Sequence, residues 1–106
     1  MVLRVVKVLY FGLVQSAVGT PQEEITLAEG TRLGDLLDLL VQRHGEPLRA
    51  ILLTRDGRLK SLARLMVDGK PASEMGGLEA QLGGSTEVCV LVRVDPMLGG
   101  SKDLFG

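Results

Sequence analysis

Two side chains of the type that does nucleophile or base chemistry occur once each in this chain, Cys89 and His44. A zinc site of Cys and His ligands needs three or four donors, and one of each cannot supply them. A thiol–imidazole catalytic pair would have to join Cys89 to His44. Each has a plainer reading. Cys89 falls mid-strand, where a small hydrophobe is the default, and no low-pKa surroundings are visible around it. His44 falls in the last turn of a helix and suits its negative end. The remaining pattern with chemical potential is glycine, paired at Gly76-Gly77, Gly83-Gly84 and Gly99-Gly100. The first two pairs read as turn residues. The third follows Asp95-Pro96-Met97-Leu98, directly after the last strand-like segment. Extended, Asp95 to Gly100 spans about 20 Å, enough to enter a partner's active site. Two residues without Cβ permit the close backbone approach that a narrow channel requires. A glycine carboxylate is also sterically open at the carbon that would be attacked.

Composition narrows the classes further. The chain has 106 residues, 45% hydrophobic and 24% charged, the profile of one globular domain. No apolar run approaches the ~20 residues of a membrane helix, so no membrane role is expected. A single cysteine excludes an internal disulfide, and Met1-Val2-Leu3-Arg4 lacks the pattern of a secretory signal. The expected setting is cytoplasmic. Net charge is −1, which gives no global attraction to nucleic acid. Locally, residues 46–64 concentrate Arg49, Arg55, Arg58, Lys60 and Arg64 against two acidic residues. With one Tyr, two Phe and no Trp in the chain, an RNA-binding role is the least supported reading, and a solvated face fits better.

These residues need elements to position them. Leu3 to Phe11 is rich in β-branched and aromatic residues and predicts a strand, and Glu24 to Leu27 predicts a second. Thr31 is a good N-cap for a helix carrying Leu33, Leu36, Leu37, Leu40 and Val41 on one stripe. Gly45 is a natural left-handed C′ residue. Pro47 suits the first turn of a short helix through Leu53, and Asp56-Gly57 a turn. Ala63–Val67 predicts a strand ending in an Asp68-Gly69 hairpin, with at most a short return at 70–72. Residues 73–85 read as a long loop with one turn around Leu78–Leu82. Thr86 to Val94 predicts the last strand, with valines at every even position from 88, stopped by Asp95-Pro96. Two strands, a helix that crosses back, and later strands make an α+β roll with the Leu stripe packed on the valine face.

At this point the sequence resembles a known family. Val6-Lys7-Val8-Leu9-Tyr10-Phe11-Gly12, Val18-Gly19-Thr20, Thr31-Arg32-Leu33-Gly34-Asp35-Leu36-Leu37 and the Pro96-Met97-Leu98-Gly99-Gly100 tail are similar to the ubiquitin-like sulfur carriers. These are the MoaD/ThiS-like proteins, of the type of the molybdopterin synthase small subunit and the thiamine-pathway carrier. The resemblance covers about residues 5–45 and 62–100. It implies a β-grasp fold, a mixed sheet packed on one main helix, over residues 1–94, with a Gly-Gly tail at 95–100. It implies no catalytic residue and no bound cofactor in the chain itself. A ubiquitin-activating-type adenylyltransferase would use ATP to adenylate the Gly100 carboxylate, with Gly99 giving clearance. Sulfur would replace the adenylate, and the resulting thiocarboxylate would serve a sulfur-acceptor partner of the molybdopterin synthase large-subunit type. The alternative is a protein modifier joined through Gly100 to target lysines.

The chain departs from the family pattern by continuing through Ser101-Lys102-Asp103-Leu104-Phe105-Gly106. Gly100 then holds a peptide carbonyl, so the reading requires a processing protease that cuts after Gly100 and removes 101–106. For partner docking, Cys89, Leu91 and Arg93 share the strand face opposite the valines, and Met97 and Leu98 precede the glycines. Cys89 and Leu91 form an apolar docking patch if the helix takes the valine face. If residues 46–61 fold over them instead, they are core. Periodicity alone leaves both open.

Overall fold

The structure is a computed structural model that describes residues 2–82 and 87–93. Its chain order is β1 (Leu3–Tyr10), α1 (Leu13–Val18), β2 (Gln22–Ala28), α2 (Leu33–His44), α3 (Glu46–Leu52), β3 (Ala63–Val67), β4 (Lys70–Pro71) and β5 (Glu87–Val92), with two short 3-10 turns, Ala72–Met75 and Gly77–Glu79, before β5. The five strands form one sheet in the order β2-β1-β5-β3-β4. The outer pairs are antiparallel, while the first and last strands run parallel in the middle, Leu9 opposite Cys89 and Tyr10 opposite Val90. This is the mixed β-grasp roll expected from the sequence, with three helices among the described residues rather than one main helix.

Strand alternation sorts the side chains into two faces. Val6, Val8 and Tyr10 of β1, Leu65 and Val67 with Ala63 of β3, and Val88 and Val90 of β5 are buried. They pack with Leu33, Leu36, Leu37 and Leu40 of α2 and Leu48 and Leu52 of α3 in a single core. At ~25 cal/mol per Å² of apolar surface, each such Leu or Val contributes about 1.5–3 kcal/mol.

Several local expectations change. Residues 13–18, between the first two expected strands, form α1, which starts at Gly12 and closes on Gly19, both with positive φ. Its one fully buried residue is Val14, so it carries too short an apolar stripe to stand out by periodicity. The N-cap of α2 is Arg32 rather than Thr31. Asp35 Oδ2 accepts the Arg32 backbone N–H at 3.3 Å, while the Thr31 hydroxyl donates back to Ala28 O at 2.6 Å. Gly45 has a positive φ of 78° but an extended ψ of −157°, because the chain enters α3 at the next residue. The stretch expected as a loop with one turn holds two 3-10 turns instead. Asp68 (φ 50°) and Gly69 (φ 84°) make the tight hairpin that their dipeptide predicts.

Candidate functional site

The candidate site is the sheet face away from the helices, together with the end of β5 from which the tail departs. β5 lies between β1 and β3, so its outward residues have neighbours on both sides. Cys89 is registered with Leu9 on one side and Met66 on the other. Leu9 in turn faces Gln22, and Met66 faces Pro71. A mostly apolar row therefore crosses all five strands, with Cβ atoms of directly opposed residues ~4.5–5.5 Å apart. One step toward the tail, Leu91 is registered with Arg64. One step the other way, Lys7 lies between Glu24 and Glu87. Cys89, Leu91, Leu9 and Met66 are all half-buried, and none belongs to the core.

The open alternative is thereby decided in geometry. Residues 46–52 form α3, whose Leu48 and Leu52 sit in the core with Val88 and Val90, so this segment covers the valine side. Cys89 and Leu91 are left on the outward face. Arg93 is exposed, and its backbone N–H donates to Leu62 O at 2.7 Å, which ties the end of β5 to the start of β3. Gly99, Gly100, Met97 and Leu98 lie outside the described residues.

Cys89 lacks the electrostatics of a nucleophile. Partial burial pushes its thiol pKa up and the nearby Glu87 carboxylate pushes it further, so it stays protonated at neutral pH. His44 is not beside it. Its Nε2 meets Glu23 Oε2 in a corner between β1, β2 and α2, where the Tyr10 hydroxyl donates to the same oxygen. Arg43 Nε lies 3.2 Å from Glu23 Oε1. The Tyr10 and His44 rings meet edge to face with centroids 5.9 Å apart. A carboxylate only accepts, so His44 Nε2 carries the proton in this contact. Burial raises the Glu23 pKa, but the hydrogen bonds from Tyr10 and His44 and the charges of His44 and Arg43 outweigh it, and the net shift is downward. Burial, then the hydrogen bond to Glu23, drives the Tyr10 hydroxyl far above its ordinary range.

Sequence reading did not find this corner, because it started the second strand at Glu24. With β2 starting at Gln22, Glu23 shares the buried face with Ile25, and a carboxylate on that face demands partners. Among the described residues, no group of three His, Cys, Asp or Glu side chains is arranged to hold a metal ion. No helix among them is long and apolar enough to cross a membrane.

Comparison with known proteins agrees with this architecture. A family model for the ThiS family matches residues 8–100. No curated protein sequence matches the chain. Among solved structures, SAMP1 from Haloferax volcanii superposes with a TM-score of 0.76 at 20% identity, covering 87% of this chain and 98% of that one. A putative molybdopterin converting factor subunit 1 from Pyrococcus furiosus gives 0.66 at 26% identity, covering 85% and 98%. A chain of the Amycolatopsis orientalis BexX/CysO complex gives 0.66 at 22% identity, covering 85% and 97%.

Proposed function

This chain belongs to the ThiS family of ubiquitin-like sulfur carriers and modifiers, and from that premise we propose that it is a sulfur carrier working through the Gly100 carboxyl group after 101–106 are removed. The observation that carries the reading is the extent of the family match, which runs through β5 and stops at Gly100. The described residues also supply no activated nucleophile, since the Cys89 thiol is held protonated and His44 is engaged by Glu23. The chemistry therefore falls to partners. Hydrolysis of the Gly100–Ser101 bond gives the carboxylate. In an activating enzyme, that carboxylate attacks the α-phosphorus of ATP and pyrophosphate leaves. A hydrosulfide-level sulfur nucleophile supplied by the partner then displaces AMP, leaving the thiocarboxylate.

Cys89, Leu91, Leu9 and Met66 form the surface on which the adenylyltransferase and a sulfur acceptor dock, with Arg64 and Arg93 at its tail end. The likeness to the Pyrococcus furiosus molybdopterin converting factor supports an acceptor of the molybdopterin synthase large-subunit type. The decisive experiment is ATP–pyrophosphate exchange with an activating enzyme from the same source, using protein that ends at Gly100. Exchange, followed by a mass in which one oxygen is replaced by sulfur, supports the carrier; no exchange with any such enzyme rejects it. The likeness to SAMP1, by its name a modifier, supports a second reading in which Gly100 is joined to lysines of other proteins. Gly-Gly remnants on target lysines in native cells are its signature.

A further inference from the structure

We propose that the segment after Gly100 docks back onto the body of the protein, with Leu104 and Phe105 seated in an apolar groove at the root of the tail. The groove has a volume of about 420 Å³ and lies where α1, α3 and the end of β5 meet. Leu13, Ile51, Leu62 and Val92 form its walls, with Lys60 at the rim. Leu13 is 55% exposed and its neighbour Phe11 47%, unusual exposure for side chains of this size beside a groove.

Three observations select this occupant. The first is continuity. Val92 is itself a wall of the groove, so the tail leaves from its edge and samples it at high effective concentration. The second is length. Residues 94–103 separate the strand end from Leu104, and about five residues out and five back reach ~16 Å each way. Gly99-Gly100 falls at the middle of that span, where the chain must reverse and residues free of Cβ do so most easily. The third is charge. The Lys60 ammonium donates to Ala50 O at 2.6 Å, and no carboxylate among the described residues pairs with it. Asp103 immediately precedes Leu104, so seating the Leu-Phe pair brings an acidic side chain to the Lys60 rim.

The docked segment holds Gly99-Gly100 in a closed loop. Hydrolysis of the Gly100–Ser101 bond, with water giving its hydroxyl to the Gly100 carbonyl and its hydrogen to the Ser101 nitrogen, then does two things at once. It frees the carboxylate and empties the groove. This consequence rests on the carrier reading; the docking itself does not.

The test is methyl NMR of three proteins: the full chain, the chain ending at Gly100, and the full chain with Leu104→Ala and Phe105→Ala. The altered residues belong to none of the described elements, and the core methyls report whether the fold is kept. The expected result is that Leu13, Ile51, Leu62 and Val92 methyls shift on truncation and shift to the same positions in the double variant. Core methyls such as Val6 and Leu36 stay in place. Lys60→Glu weakens the effect and Asp103→Lys in the same chain restores it. Superimposable spectra of the full and truncated chains overturn the proposal. So does a groove that changes only with Met97→Ala and Leu98→Ala, which would assign it to the tail before the glycines. Failure of pyrophosphate exchange by the Gly100 form bears on the carrier reading alone.

Discussion

The two faces of β5 are built from alternate residues of one six-residue strand, yet they do different work. Val88 and Val90 are each 1% exposed and pack against α2 and α3. Cys89 and Leu91, of similar size and polarity, stay half-exposed beside Leu9, Met66 and Arg64. Hydrophobicity alone does not tell these faces apart. What separates them is the helices, which cover one side only. The covered face holds the fold together, and the open face leaves half-buried apolar side chains beyond the helices, the surface proposed above for partner docking.

Substitutions that exchange these roles break the comparison most sharply. Leu36→Ala removes a fully buried side chain from the covered side and is expected to cost about 2–5 kcal/mol, read as a lower urea midpoint. The next largest effect belongs to Glu23, the polar intrusion into that same side. Glu23→Gln leaves one acceptor oxygen where three donors, from Tyr10, His44 and Arg43, now converge. The expected loss at neutral pH is about 1–3 kcal/mol. Its pH dependence has a definite sign. The Glu23 pKa is lower folded than unfolded, so its contribution is complete above the ordinary carboxylate range and disappears as pH falls through that range toward the folded value. Urea unfolding of both proteins from neutral to acid should show their gap closing on acidification. A gap that is constant with pH would show that the charge of Glu23 is not what holds the corner.

The difference between the faces also explains what the sequence made legible. The Leu stripe of α2 and the even valines of β5 repeat with the periods of their elements, so the core faces of both follow from pattern. Which side α3 takes does not, because Leu48 and Leu52 are compatible with either face until the connection from Gly45 directs them. The short α1 has one fully buried residue and no stripe to read. The Tyr10–Glu23–His44 corner depended on β2 starting two residues earlier than expected, at Gln22 rather than Glu24, which brings Glu23 into the strand on the face of Ile25. The reading of the glycine tail rests on order along the chain and on resemblance, since glycines carry no side-chain pattern and the tail lies outside the described residues.

On the open face the expected signs reverse: stability changes little and association changes much. Leu91→Glu places a charge on a half-exposed position, where surface substitutions usually stay within about 0.5 kcal/mol. If the row is the docking surface, the same change weakens binding to an activating or acceptor partner by at least about tenfold, which corresponds to ~1.4 kcal/mol. Calorimetric titration of the partner alongside urea unfolding separates the two effects. A large stability loss with intact binding would place Leu91 with the valines.

The smallest expected effect is at Cys89, and it sharpens the comparison because it tests chemistry rather than packing. The thiol is raised by partial burial and then by Glu87, so alkylation at neutral pH should be slower than for a free cysteine. Glu87→Gln should speed it modestly by removing the second cause. On the proposed function, in which the sulfur comes from a partner, Cys89→Ala should leave thiocarboxylate formation at Gly100 unchanged. Loss of the thiocarboxylate in Cys89→Ala, with the partner still bound, would instead make that thiol a participant in sulfur transfer.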